Sequence, residues 1–263
     1  NGLTSSIARM NLYLNGVEDF SIACADTLEN PAFLDGSHLR KFDIVLANPP
    51  YSIKEWNREK FMNDKWGRNF LGTPSQGRAD YAFIQHILAS MNDENGRCAI
   101  LLPHGILFRN EEKEVRTNLV KSDLLEAVIG LGPNLFYNAP MEACILFCNK
   151  NKDRERKNRI TFINAVKEVT RKNAESYLEQ HHIEKILHAF HSQEDIEQFK
   201  LSISTDDIAN KDFDLSIQKY VFIKDAEVEE ISFSSAISRW LNSQKEVHVQ
   251  YITLMDLLSN DKI

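Results

Sequence analysis

Residues 43–51 read Asp-Ile-Val-Leu-Ala-Asn-Pro-Pro-Tyr, an apolar run that closes on an asparagine and two prolines. Proline donates no backbone hydrogen bond and fixes φ, and it pushes the residue before it towards an extended conformation. A strand over residues 42–47 must therefore leave its sheet at Asn48, with the asparagine amide held stiffly at the strand's carboxyl end. In open α/β sheets ligands bind outside those ends, so one short run constrains both the fold class and the place of any chemistry.

The rest of the chain repeats the same alternation. Residues 4–15 carry Ile7, Ala8, Met10 and Leu14 at helical spacing, followed by Gly16. Residues 21–25 form a second apolar run that closes on a polar residue, Asp26, and predict another buried strand with a functional tip. Helical spacing returns over residues 80–91, Asn95-Gly96 breaks the chain, and residues 97–102 predict a strand. A helix over 112–121 leads to strands over 124–131 and 143–148, whose connection is too short for a crossover helix, so these two are expected to be antiparallel neighbours. Residues 150–159 are a mixed-charge run expected to be a solvated turn, 160–165 a strand, and 174–191 a helix. Shorter helical signals follow near 236–241 and 253–258, and no internal repeat is visible.

Composition excludes several classes. The 263 residues, 43% hydrophobic and 26% charged, suit a globular domain, and no apolar run reaches the roughly eighteen residues of a membrane span. No secretory signal opens the chain, so a cytoplasmic location is expected. A net charge of -7 argues against a surface that is basic all over, so any nucleic-acid contact must be local or shared with a partner. Cys24, Cys98, Cys144 and Cys148 all lie in apolar runs and are expected to be reduced and buried. His181, His182, His188 and His191 share a helix but lack an acidic or cysteine partner at metal-site spacing, so a solvated face and no metal are expected.

A strand-terminal Asn-Pro-Pro with an aromatic suits chemistry on a planar amine. Such an amine is a poor nucleophile while its lone pair is delocalised, and two acceptors fixed on its hydrogens favour the geometry that localises it. The Asn48 side-chain oxygen and the Pro49 carbonyl are such acceptors, set in advance by the stiff backbone. Tyr51 offers a flat face on which an extruded base can stack, a role that needs the ring and not the hydroxyl. The bland alternative is a turn in which Asn48 caps local backbone groups and Tyr51 packs as a core aromatic.

These residues resemble the amino-methyltransferase motif of adenine-N6 DNA methyltransferases. The flanks narrow the likeness. Ala-Arg-Met-Asn-Leu-Tyr-Leu-Asn-Gly at 8–16, Ala-Asp-Thr-Leu at 25–28, Arg-Ala-Asp-Tyr-Ala-Phe-Ile at 78–84, Ala-Ile-Leu-Leu-Pro at 99–103 and Asn-Leu-Phe-Tyr at 134–137 resemble, in order, the modification (methylation) subunit of type I restriction-modification systems. The likeness covers roughly residues 1–220. It implies a Rossmann-like α/β sheet, mostly parallel with an antiparallel final hairpin, incomplete on its N-terminal side and followed by a mainly helical C-terminal segment. The implied division is a partial catalytic domain at 1–165 and that segment at 166–263. S-adenosyl-L-methionine is the implied cofactor, double-stranded DNA the substrate, and a DNA-specificity subunit and a restriction subunit the partners.

In that family Asp26 and Asn48 would face the cofactor, Asn48 and Pro49 would grip the target amine with Pro50 stiffening the turn, and Tyr51 would stack on the flipped adenine. Asp80 and Tyr81 are softer candidates, with Asp80 expected to cap the following helix. The family's glycine-rich cofactor loop and ribose-binding acid are expected before Asn1, so this chain by itself is expected to bind cofactor poorly. Gly130 and Gly132 form the only G-x-G, and Pro133 makes it a turn. Between Tyr51 and Arg78 basic and aromatic residues interleave. Trp56, Arg58, Lys65, Arg68 and Arg78 are candidates for DNA contact, with a hydrophobically anchored lid the equal alternative for this connection. Two other functions stay open: a protein glutamine N5-methyltransferase, which shares the Asn-Pro-Pro-Tyr chemistry, and a catalytically silent assembly module.

Overall fold

The computed structural model describes residues 2–136, 141–172 and 175–222, with Ile237, Trp240 and Gln244 beyond them. The chain divides into two compact units, Asn1–Phe222 and Ile223–Ile263. The fold described below is that of the first. Of the helices expected near 236–241 and 253–258, only Ile237 and Trp240 are among the described residues, and both are helical. Tyr137 lies outside the described residues.

The helices are α1 Gly2–Leu14, α2 Arg58–Met62, α3 Asp80–Ser90, α4 Lys113–Lys121, α5 Gln180–His191 and α6 Thr205–Ala209. The main sheet has six strands, β1 Ile44–Ala47, β2 Arg97–Pro103, β3 Leu125–Leu131, β4 Ala143–Asn149, β5 Arg159–Ala165 and β6 Lys200–Ser204, in the order β6-β5-β3-β4-β2-β1. β1 pairs parallel with β2, and β3 parallel with β5. β4 lies antiparallel between β2 and β3, and β6 antiparallel on β5. Four of the six strands thus point one way. The expected antiparallel neighbours are β3 and β4, but β4 is inserted in the middle of the sheet, so only two of the five pairings are parallel.

The sheet is covered on two faces. On one, Tyr81, Ile84 and Leu88 of α3 and Val115 and Leu119 of α4 pack with Ile208, Leu215, Ile217 and Tyr220 against Ile100, Leu102, Val128 and Phe162. On the other, Ile186 and Ala189 of α5 pack against Ile129, Leu131 and Ile163. β3 is buried along its whole length, as its continuous apolar run requires.

Several expectations are corrected. Residues 21–25 form no strand: the edge beside β1 has no neighbour among the described residues, and without a ladder an apolar run stays irregular. Cys24, on that run, is exposed, while Cys98 and Cys148 face each other across the β2–β4 pair in the core. The helix expected from 174 begins at Gln180, because Glu175–Tyr177 pairs with Thr170–Lys172 as a small hairpin. His182 is buried, its Nδ1 accepting the Glu179 N–H at 3.1 Å, so it closes the helix start instead of facing solvent. Lys152 in the mixed-charge turn is buried as well, donating to Asp123 at 2.6 Å and to the Arg159 carbonyl at 3.0 Å. The expected boundary at 165/166 falls inside one unit, since β6 adds to the sheet and Ile217 and Tyr220 enter its core. Before Phe222 the segment is thus mixed, with β6 and the small hairpin beside α5 and α6.

Apolar surface remains at the β1 edge, where Leu46 is 77% exposed on a sheet in which Leu102 is fully covered. Leu102→Ala should therefore cost about 2–5 kcal/mol by leaving a cavity. Leu46→Ala should change stability by no more than about 0.5 kcal/mol. Urea denaturation of this chain measures both, and equal losses would mean that the β1 edge is covered in solution.

Candidate active site

The Asn-Pro-Pro-Tyr turn leaves the carboxyl end of β1 as the prolines demand. Pro49 is buried, Asn48 and Pro50 are exposed, and Tyr51 is half-buried. The Tyr51 hydroxyl donates to Asn48 Oδ1 at 2.8 Å. Burial, aided by the nearby Cys144 and Asp80, raises the hydroxyl above its ordinary pKa, so it keeps the proton that it donates. Tyr51 is therefore neither a plain core aromatic nor a ring alone. Its hydroxyl fixes the rotamer of Asn48, a contact that the sequence does not reveal.

After Tyr51 the chain turns through Ser52, whose φ of +53° places a residue with a Cβ in the left-handed region. Three bonds hold it there. Ser52 N–H donates to Asp80 Oδ1 at 2.7 Å, Arg78 Nη1 donates to Ser52 Oγ at 3.1 Å, and the Ala79 N–H donates to the Ile53 carbonyl at 3.0 Å. Asp80 does not cap its own helix, whose N-cap is Ala79 with no side-chain bond; it is the first helical residue, buried, and its carboxylate reaches back to the turn. Tyr81 is core, its hydroxyl donating to the Ile106 carbonyl at 3.1 Å.

The connection from Tyr51 to Arg78 is anchored on the domain by its own side chains and by α3. Phe61 is buried under Trp56, with ring centroids 5.7 Å apart, and Trp56 Nε1 donates to the Gln76 carbonyl. Arg58 Nε donates to the Pro74 carbonyl at 2.8 Å. Gln85 of α3 accepts from Leu71 N–H at 2.7 Å and donates to the Gly72 carbonyl at 2.9 Å. Arg68 is corrected as a DNA contact. It is 1% exposed, with donors on Asp64 at 2.6 and 3.0 Å, on the Thr27 and Leu28 carbonyls at 2.9 and 2.7 Å, and against His86 Nδ1 at 3.3 Å. Burial would raise the Asp64 carboxyl, but the hydrogen bonds from Arg68 outweigh it and hold Asp64 below its ordinary value. Burial and the Arg68 charge lower His86 to about 4, so it is neutral and its Nδ1 accepts. Lys65 remains exposed, over the Trp66 ring.

Behind α3 sits a buried charge cluster that the sequence does not reveal, because Asp80 is 29 positions from Arg109 although Glu112 is only three away. Arg109 Nη1 lies 3.3 Å from Asp80 Oδ2 and 3.7 Å from Glu112 Oε2. Glu112 is fully buried, and neither of its oxygens has a hydrogen-bond partner. Burial pushes its carboxyl up to about 7; Arg109 opposes the shift, and Asp80 adds to it.

Asp26 ends the irregular 21–25 run on an exposed turn, where Oδ1 accepts the N–H groups of Leu28 and Glu29 at 3.0 and 2.8 Å. Arg68 holds this turn through Thr27 and Leu28, and Lys60 reaches Glu29 at 3.3 Å, so the connection ties the Asp26 turn to α3.

With this geometry in place, comparison with known proteins is decisive. Residues 1–229 match the N-6 DNA methylase family. The chain belongs to that family. It is 32% identical over 261 residues to the type I restriction enzyme MjaVII methylase subunit of Methanocaldococcus jannaschii, covering 94% of this chain and 43% of the relative. The HindI methylase subunit of Haemophilus influenzae is 31% identical, with 94% and 56% covered. Among solved structures, the type I restriction-modification methyltransferase subunit from Streptococcus thermophilus superposes with a TM-score of 0.77 at 36% identity, covering 84% of this chain and 47% of that one. The EcoKI M protein shares the fold, with a TM-score of 0.61 at 17% identity over 96% of this chain and 58% of that one. The chain spans about half the length of these relatives. The family sets aside the protein glutamine methyltransferase alternative.

Methyltransferases of this class draw generally on S-adenosylmethionine. One oxygen of Asp26 serves the turn, leaving the other for a ligand's hydroxyl or amine. Asn48 borders an open apolar depression of about 300 Å³ lined by Leu46, Ala99, Leu101 and Ile145. Gly130 and Gly132 provide no phosphate or cofactor cradle. A Cβ would come within 2.7 Å of Ile217 at the first and 2.6 Å of the Val166 carbonyl at the second, so their bareness serves internal packing. Among the described residues no cluster of metal-ligating side chains occurs, and no helix is long and apolar enough to cross a membrane.

Glu112 makes the stability of the methylase fold depend on pH. Its folded pKa, about 7, lies above the ordinary 4.5, so folding takes up a proton between those values. Its contribution is fully present below about 4.5 and is lost as pH rises through about 7. Glu112→Gln should therefore gain stability relative to the wild type between pH 5 and pH 8, measured by urea denaturation at both. A difference that does not change with pH would show that Glu112 is ionised throughout.

Proposed function

We propose that this chain carries the target-base and methyl-acceptor side of an adenine-N6 DNA methyltransferase, the modification subunit of a type I restriction-modification system. The observation that carries this is the Asn48–Tyr51 turn at the carboxyl end of β1, with Asn48 Oδ1 already engaged by a hydrogen-bond donor at 2.8 Å. An adenine flipped out of the duplex stacks on the Tyr51 ring, and its N6 hydrogens donate to the Pro49 carbonyl and to the second lone pair of Asn48 Oδ1, beside the Tyr51 hydroxyl that holds the first. Both acceptors are fixed before the base arrives, so little reorganisation remains at the moment of transfer. S-adenosylmethionine supplies the methyl group when bound, with Asp26 on its amine or hydroxyl side. The reaction belongs to the cytoplasm, where the DNA is.

Lys65, exposed on the connection, and Arg78, beside the turn, are the cations we assign to DNA phosphates, with Trp56 and Arg58 shaping the connection beneath them. With a net charge of -7 these contacts are local, which supports assembly with a DNA-specificity subunit and a restriction subunit. We divide the whole protein's work so that residues 1–165 hold the reaction centre and the later residues complete and extend its sheet.

The test is single-turnover methyl transfer to duplex DNA by the full-length methylase assembled with its specificity subunit. Asn48→Ala removes a preorganised acceptor and should lower the rate about 100- to 1000-fold while DNA binding survives. Tyr51→Phe keeps the ring and loses one neutral hydrogen bond worth about 0.5–1.5 kcal/mol, so its rate should fall by no more than about tenfold. Near-wild-type transfer by Asn48→Ala would remove that residue from the mechanism. No transfer by the wild type would favour the silent assembly module.

A further inference from the structure

Asp80 lies outside the Asn-Pro-Pro-Tyr turn and makes no contact that a target base would need, yet it holds the turn's exit. Its Oδ1 accepts the Ser52 N–H at 2.7 Å, the shortest of the three bonds that tie residues 52 and 53 to the start of α3. Ser52 sits at φ +53°, a conformation that strains an L-residue when nothing compensates. The Asp80 oxygen accepting the N–H of that residue is the compensation. Asp80 is itself 1% exposed, and Arg109 stands 3.3 Å from its other oxygen, so the carboxylate has no freedom to follow the loop if the loop moves. The carboxylate is thereby fixed between a left-handed backbone residue on one side and a guanidinium on the other.

We propose that Asp80 is a positioning residue for methyl transfer, its carboxylate fixing the left-handed exit at Ser52 so that Tyr51 and, through the Tyr51 hydroxyl, Asn48 stand where the target amine arrives. The chain of contacts is continuous: Arg109 to Asp80, Asp80 to the Ser52 backbone, Ser52 to Tyr51 through the peptide bond, and Tyr51 Oη to Asn48 Oδ1 at 2.8 Å. Position, not charge, carries the role, because the bond that matters runs from an amide N–H to one oxygen. This rests on the methyltransferase function proposed above.

Two conservative substitutions separate position from charge. Asp80→Asn keeps an oxygen at the same reach and removes the charge; Asp80→Glu keeps the charge and moves the oxygens by one methylene. In the assembled full-length enzyme, Asp80→Asn should transfer methyl groups to duplex DNA within about threefold of the wild type. Asp80→Glu should lose about 10- to 100-fold in kcat, the cost of a misplacement of about 1 Å, with KM for DNA and for S-adenosylmethionine unchanged. If Asp80→Glu overpacks the site and does not fold, Asp80→Ser, too short to reach the Ser52 N–H, must show the same loss in kcat alone. A purely structural role would instead raise both KM values or lower the amount of folded enzyme in step with activity. Full activity in Asp80→Glu or Asp80→Ser, or an equal loss in Asp80→Asn, would overturn the proposal. Asn48→Ala measured alongside keeps the two ideas apart. If it is impaired while Asp80→Glu is not, only the positioning role fails, whereas a wild type that transfers no methyl group to DNA removes the reaction and the positioning role together.

Discussion

The structure depends on a hydrogen-bonding obligation. Residues 52–79 join β1 to α3 with only one short helix, so most of their backbone groups have no ladder or helix to pair with. Polar groups left unpaired away from water cost roughly 1–3 kcal/mol each, and such a segment orders only when side chains supply the partners. Helix α3 supplies them through Asp80 to Ser52 and through Gln85 to Leu71 and Gly72, while Asn118 of α4 donates to the Leu71 carbonyl at 2.8 Å. The same helix packs Tyr81, Ile84 and Leu88 into the core. The Asn48–Tyr51 turn is therefore tied through α3 to the buried core without lying in it.

Buried charge follows the same logic. Arg68 and Asp64, at 1% and 2% side-chain exposure, form a pair whose guanidinium is also bonded to two carbonyls, so the desolvation of both ions is offset by nearly complete hydrogen bonding. The Arg109 cluster is less well satisfied, because Glu112 has no hydrogen bond and one guanidinium stands near two carboxylates. The imbalance shows in Glu112, whose carboxyl burial raises to about 7. Buried acids and bases thus give the connection its shape, and the net charge of -7 says little about the field beside Asn48.

The uncovered surfaces are as informative as the core. Leu3, Ile7, Met10, Tyr13 and Leu14 of α1 are all exposed, as are Ile44 and Leu46 on the outer face of β1. Val45 and Ala47, one residue away, pack into the core, which is the alternation of a strand with one face covered. The relatives are about twice as long as this chain, and the exposed face of β1 lies where the described sheet ends.

What the sequence determined by itself is what short-range physics dictates. Two prolines after an apolar run force the chain out of the sheet at Asn48, and continuous apolar runs mark β2, β3, β4 and β5. Their order in space was not legible: the insertion of β4 between β2 and β3, and the addition of β6 to β5, depend on pairings between residues as distant as Arg97 and Asn149. Residues 21–25 read as a strand because their composition is that of one, yet a strand exists only where a neighbour completes its ladder. The connection after Tyr51 could not be told from a DNA-binding loop because Arg68 looks the same in sequence whether it faces phosphate or Asp64. Tertiary structure alone decided that the Tyr51 hydroxyl meets Asn48, that Asp80 serves Ser52 and not its own helix, and that Glu112 and Arg109 stand behind it. Those contacts are set by folding, which brings together groups that no local pattern relates.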